Sequence, residues 1–561
     1  MKVRRLVRAA IDAQQRVALP ACLACAIAAA PAAAGPWCQP TWTLEDLHGG
    51  AGASLYGSFA VDRDDVWAVG SRYDGASDAA IAVHWDGSTW RDTAMPRFGR
   101  AAYLTSVAAV AAGDVWTVGS RYDDAGMTGT LAAHWDGIRW SAVATPSPGA
   151  IASYLASVTA LAADDVWAVG YQVTSAARYE TLALHWDGSS WRVVPTPNPG
   201  AGDNLIDAVA ASAHDDVWSA GFFDSGGGAT QTLVMRWDGS AWNEVASPNP
   251  GLAANALYGV HVRARDDAWV VGTWHDGHDN VSLTARWDGA EWSVVPSPNI
   301  AQSGNVLNDV HGASRGDVWA VGYYYNTVGD RVQETLTLHW DGDAWSLVPS
   351  PNASHDSAFS YLEGVASSPN GEAWAVGLSP AGAIVERLCA IEILDAGFAP
   401  ATATVAHGSA ATWLVPASDE LGHAVADATG MTLFDSGIRA PGESFSYRFI
   451  AAGRYAVRDA VDASSGSIRV PVRVVPAAGG VQTGFVVEWA AEPAPAGFVY
   501  DVQLRRPAGG PFTAWHMGAT GPGARFVPDA GTGAYAFRSR LRRLDGGARS
   551  AWSAPAQIDV S

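Results

Sequence analysis

An all-β fold, a ring of seven repeated four-stranded units followed by two small β-sandwich domains, is what this sequence predicts, and three observations carry it. The heptapeptide DDVWAVG stands at 64–70 and again, letter for letter, at 164–170. Looser copies place Trp67, Trp116, Trp167, Trp218, Trp269, Trp319 and Trp374 about 50 residues apart. Each unit holds four short runs rich in Val, Leu, Trp and Thr, and an Asp-Gly pair, the strongest hairpin signal, divides the third run from the fourth. No run carries a helical apolar period. Four strands in about 50 residues is the size of one blade of a β-propeller.

Taken in order, residues 1–34 run from an Arg-rich start through an Ala-rich apolar stretch to small residues, the pattern of a secretory signal peptide cleaved near Ala34. Cys22 and Cys25 leave with it, so Cys38 and Cys389 remain to form one disulfide in an oxidising compartment. The propeller is assigned to 35–390. Its first six units carry Trp-Asp-Gly, but the seventh reads ERLCAIE at 386–392 and lacks a fourth strand. The segment CQPTWTLEDL, 38–47, aligns with DGSTWRDTAM, 86–95, so the N-terminal strand is expected to complete the last blade and remove an exposed sheet edge. In that alignment both cysteines fall where other blades have the Asp-Gly turn. Their bond would close a loop of about 350 residues, worth roughly 5 kcal/mol in the chain-entropy account.

The repeat region resembles the kelch and galactose-oxidase-like seven-bladed propellers, although the double Gly of kelch blades is a single Gly here, as at Gly70 and Gly170, and its WDGSSW hairpins resemble sialidase Asp-boxes without their residue order. From 391 the Trp repeat stops. GFAPATATVAHGSAATW, GHAV and DSGIRAPGESFSYRF resemble a cupredoxin domain over 391–475. The resemblance implies a copper ligand loop after Tyr455, but only His423 keeps a ligand identity. Asp459, Asp462 and Ser465 stand where that family has Cys, His and Met. Without the thiolate no type 1 copper site is expected, so no metal and no cofactor are assigned. The segment 476–561, with Trp489, Tyr500, Tyr535 and SAWSAP, resembles a fibronectin type III sandwich, and its Arg538, Arg540, Arg542 and Arg543 are read as a solvated face.

A residue type recurring at one place in every blade solves a packing problem common to all blades, so function belongs to what differs among them. The recurring Trp residues are therefore read as blade-to-blade packing. Asp65, Asp114, Asp165, Asp216, Asp267 and Asp317, each two residues before a Trp, are expected to hold tight turns by accepting backbone N–H groups. His84, His134, His185, Arg236, Arg286 and His339 precede the Trp-Asp-Gly turns and are not expected to bind metal. The loops after each second strand vary in sequence and open on one face. They supply the candidate ligand-binding residues Tyr73, Tyr122, Phe223, Trp274, His275, Asp276, Tyr324 and Tyr325. Aromatic rings among carboxylates suit stacking on sugars or gripping a peptide.

No paired acid and base or activated nucleophile stands out, so no catalytic residue is assigned. A galactose-oxidase-like copper site would need a free Cys beside a Tyr. The formal charge of −21 argues against nucleic acid and anionic membrane surfaces, and after the leader no stretch reaches the roughly 20 apolar residues of a spanning helix. The expectation is a secreted, monomeric, non-enzymatic binding or scaffold protein that recognises an extracellular glycan or protein through the loop face of the propeller. The alternatives are a polysaccharide-acting hydrolase or lyase using that face and, disfavoured by the ligand loop, a copper electron-transfer protein.

Overall fold

The computed structural model describes residues 42–47, 50–300, 304–326, 332–352, 359–368, 372–394, 397–405, 407–415, 421–441, 443–476, 478–507, 509–545 and 547–561. The expected leader and Cys38 lie outside them. The chain is all-β, a propeller of repeated four-stranded sheets continued by two further pairs of sheets. No helix of the described residues is long and apolar enough to cross a membrane.

The unit at 152–194 shows how sequence becomes blade. Strands Ala152–Ala162, Asp165–Val173, Tyr179–Trp186 and Trp191–Val194 pair antiparallel in chain order. The last turn closes because Asp187 Oδ1 accepts the N–H groups of Ser189 at 3.0 Å and Ser190 at 2.9 Å, while Gly188 takes φ of 85°. That positive φ is why Gly follows Asp here. The same sheet recurs six more times among the described residues. In the last copy, strands Tyr361–Ser367, Ala373–Ser379 and Gly382–Leu388 are completed by the N-terminal strand Thr43–Leu44, with Thr43 opposite Arg387 and Leu44 opposite Glu386. Each first strand packs on the next and the last packs on the first, so these strands surround the axis.

Tryptophan joins the blades. Trp67 meets Trp140 of the following blade edge to face, ring centroids 5.3 Å apart. The same contact recurs as Trp116–Trp191, Trp167–Trp242, Trp218–Trp292, Trp269–Trp345, Trp319–Trp42 and Trp374–Trp90. The last two cross the closure, and such pairs contribute about 1 kcal/mol each beyond area burial.

The aspartate before each Trp does something other than the turn-holding expected of it. Asp65, Asp114, Asp165 and Asp317 lie 2.7–2.8 Å from Nε2 of His84, His134, His185 and His339, whose rings lie against the blade's own Trp. In two blades Arg replaces His: Arg236 bonds Asp216, and Arg286 bonds Asp267. Alternate residues of a strand share a face, so the Asp sits beside its Trp and diagonal to the His opposite that Trp. Backbone amides are instead taken by the Asp of Asp-Gly.

Beyond the propeller, strands Gly397–Ala399, Ile391–Leu394, Ser409–Leu414 and Ser444–Phe449 form one sheet, and Thr402–Thr404, Ser465–Val470, Gly453–Asp459 and Val425–Asp427 another. A three-stranded and a five-stranded sheet follow. One buried cluster runs from Ile391 through Trp413 and Tyr455 to Trp489, Tyr500 and Val560, so these sheets share a continuous core. The Arg-rich strand is not simply solvated. Arg538 lies over Phe512 at 4.2 Å and Trp552 at 4.9 Å, Arg540 over Trp552 at 4.3 Å, and Arg540 and Arg542 both bond buried Asp501.

Candidate functional site

The first strand of every blade breaks register at the same station: one residue is left over between Leu55 and Gly57, Leu104 and Ser106, Leu155 and Ser157, Ile206 and Ala208, Leu257 and Gly259, Leu307 and Asp309, and Leu362 and Gly364. A bulge of this kind re-aims a side chain. The Gly ending VWAVG makes room for it. A Cβ on Gly70 would stand 1.9 Å from Ser54 O, and one on Gly119 1.9 Å from Tyr103 O.

At this station the backbone is constant and the side chain is not: Tyr56, Thr105, Ala156, Asp207, Tyr258, Asn308 and Glu363. Thr105 Oγ1 donates to Leu155 O at 2.9 Å and Asn308 Nδ2 to Leu362 O at 2.6 Å, each reaching the next first strand. One residue on, Ser106, Ser157 and Asp309 accept the N–H groups of Val158, Val209 and Val365, stitching the axial edges together.

Near the loop ends of these strands lies a belt of tyrosines. Tyr103 stacks edge-on with Tyr122 at 6.2 Å, Tyr154 with Tyr171 at 5.1 Å in a tilted pair, and Tyr171 with Tyr179 at 5.6 Å. Opposite them in sequence order, Tyr56, Tyr258, Tyr325 and Phe359 pack against buried Tyr323 and Tyr361. Tyr103 donates to Asp78 at 2.6 Å, and burial together with that carboxylate pushes its phenol far above the ordinary range. Burial pushes Tyr154 up to about 12.

The candidates read from the sequence are placed as follows. Tyr73 is 39 % exposed and its hydroxyl donates to Gly75 O at 3.0 Å, covering its own turn. Tyr122 belongs to the belt. Phe223 is buried at 9 % exposure with Trp167, Ile206 and Leu233. Strand alternation sends it into the blade interface. Trp274 is half-buried against the cluster that holds Leu257 and Leu283. His275 Nδ1 accepts Gly277 N–H at 3.1 Å, and Asp276 accepts those of His278 and Asp279, which hold its carboxyl below the ordinary range. The Tyr324 hydroxyl bonds Glu334, and Tyr325 accepts from Gln333 at 3.2 Å. The first-strand residues Tyr56, Tyr103, Tyr154, Tyr258, Tyr361, Asp207 and Glu363 escaped that reading. For Tyr56, Asp207, Tyr258 and Glu363 a signal was available: the residue after each blade's Leu-or-Ile anchor changes almost every time while the anchor does not, and Tyr103, Tyr154 and Tyr361 stand just before it.

In the first C-terminal sandwich His423 Nδ1 lies 2.5 Å from Asp459 Oδ2, both residues buried. Asp459 Oδ1 accepts Ala424 N–H at 3.1 Å and Val461 N–H at 2.9 Å, while exposed Asp462 accepts that of Ser464. One ligand atom each from His423, Asp459 and Asp462 falls within 4.8 Å of the others. Ser465 is exposed. The donor set is one imidazole and two carboxylates, with no thiolate, so it does not fit type 1 copper.

No protein-family model matches the chain, and no curated protein matches its sequence. Among solved structures it is similar to YCF48 bound to a D1 peptide, at 15 % identity and TM-score 0.39, over 63 % of this chain and 99 % of that one. It is similar to a PL25 ulvan lyase at 11 % identity and TM-score 0.40, covering 60 % and 94 %. A third likeness is the β-propeller domain of the trilobed protease from Pyrococcus furiosus, at 10 % identity and TM-score 0.34, covering 60 % and 95 %. At these identities and scores the likenesses carry nothing about ligand or chemistry.

Proposed function

We propose that this is an exported binding or scaffold protein whose propeller recognises an extracellular glycan or protein at the axial end of its loop face. The observation that carries the reading is the bulge station: a backbone identical in every blade displays a side chain that changes around the ring, ringed by tyrosines. Rigid phenol rings give large contact area at low ordering cost, and their hydroxyls suit a ligand rich in polar groups. Expected of purified protein is saturable binding to members of a glycan or extracellular-protein array, without product, and loss of it in Tyr103→Ala and Tyr258→Ala. No binding by folded wild type to either array would sink the reading.

The second reading, a hydrolase or lyase, is favoured by Asp207 and Glu363, buried carboxylates at the same station of two blades. New reducing ends or unsaturated products that vanish in Asp207→Asn would select it. We also read the last two modules as a cupredoxin-like relic without copper and a fibronectin type III-like sandwich, the propeller as kelch-like, and the chain as a monomer. The Cys38–Cys389 disulfide belongs to the same proposal; Cys389 is buried one residue past the strand on which Thr43–Leu44 closes.

A further inference from the structure

Glu386 sits in the third strand of the closing blade, where the other blades have Val83, Ala133, Leu184, Met235, Ala285 and Leu338. It is 0 % exposed, and both carboxyl oxygens are buried with no hydrogen-bond partner among the described residues. Its strand neighbours Ile384 and Leu388 belong to the apolar cluster with Trp42, Trp319, Val321 and Val348, whereas Val385 belongs to the opposite one. Alternation therefore aims Glu386 into the seam between the sixth and seventh blades. Directly opposite it in the sheet are Ala375 and, on the N-terminal strand, Leu44.

The titratable groups on the surrounding elements do not compensate it. Glu372 bonds Arg387 at 3.0 Å and His339 bonds Asp317 at 2.8 Å. Glu45 and Asp46 follow the closing strand, and Glu363 lies on the blade's first strand; none of these bonds Glu386. A carboxylate cannot remain in such a place unpaired, since removing its hydration costs far more than the local structure returns. Neutral, it is tolerated. The yielding side is the N-terminal strand, which among the described residues pairs through Thr43 and Leu44 with one further backbone bond, Glu45 N–H to Val385 O at 2.8 Å.

We propose that Glu386 is a proton latch on the ring: protonated, it lets the N-terminal strand seat on the last blade, and ionised, it drives that strand off. Burial pushes its proton affinity well above the ordinary carboxyl value of 4.5. The seated state is thus fully stable below that value and loses stability as pH rises through the raised one.

Hydrogen exchange of the segment 42–47 tests this, with the equivalent outer strand Trp345–Val348 as internal standard, in wild type, Glu386→Gln and Glu386→Leu, with and without reductant. Between pH 6 and 9 the wild-type exchange rate of 42–47, divided by that of Glu386→Gln at the same pH, should climb towards about tenfold per pH unit. Both variants should hold a constant ratio between the two segments. Leu is the residue class of the other blades, so Glu386→Leu serves if the Gln variant fails to fold. A wild-type ratio that stays flat, or variants that follow the wild-type profile, would overturn the latch.

Discussion

Asp165, Trp167 and His185 act as one unit: the imidazole lies on the indole with centroids 4.4 Å apart while Nε2 meets Asp165 at 2.8 Å. His185→Leu leaves a half-buried carboxylate without its donor and should lower unfolding stability by roughly 1–2 kcal/mol. His339→Leu should cost more, about 3 kcal/mol, because His339 and Asp317 are both buried and the orphaned charge has no water. Denaturant unfolding measures both, and neither change should alter binding at the loop face. The turn aspartates add a pH signature. The Ser189 hydroxyl and two backbone N–H groups hold Asp187 down at about 2. A depressed carboxyl contributes stability above its ordinary value of 3.8 and loses it as pH falls towards 2. Asp187→Asn should therefore flatten part of the acid limb between about pH 4 and 2 in a thermal-melt series. At this scale the sequence was legible in type but not in partner. Spacing marked the Trp, Asp and His positions, yet which Asp meets an amide and which meets an imidazole depends on the strand across the sheet.

The four-stranded blade was legible because alternation and the Asp-Gly turn are local facts, readable within one stretch of chain. The bulge was not, since a leftover residue exists only relative to a partner strand, whereas variation in the second-strand loops shows in the sequence itself. Trp274 stands at the edge of such a loop. It lies half in the core, so Trp274→Ala should lower thermal stability by about 1–2 kcal/mol as well as any binding it supports. In the first C-terminal sandwich His423, Asp459 and Asp462 lie together and offer no thiolate. Added copper(II) should give no intense band near 600 nm, for want of the thiolate that produces it, and such a band on titrating the purified chain would overturn the assignment. What residue types did not reveal is that the two sandwiches share one core. Trp413 and Trp489 fall in a single cluster because Ala451 bridges Ala490 and Arg454 bridges Ala551.

For the whole molecule the decisive contact is the one that turns an array into a ring. Trp42 packs edge-on against Trp319 at 5.2 Å, as the outer-strand Trp does in every other blade, although it comes from the other end of the chain. Closure by the N-terminal strand was legible because the seventh unit lacks its fourth run and the missing text stands at 38–47. The described bridging strand is short, Thr43–Leu44 with one more backbone bond from Glu45, and so short an edge frays readily. A covalent bond between Cys38 and Cys389 would confine it by cutting the entropy gained when the ring opens. Loop length alone gives roughly 5 kcal/mol as an upper figure, and native-state geometry usually returns less. Reduction, or Cys389→Ser, should therefore lower the thermal midpoint by several degrees and speed hydrogen exchange at 42–47 before other outer strands respond. Equal midpoints and equal exchange with and without reductant would mean that the Trp42–Trp319 contact and the two-residue pairing close the ring unaided.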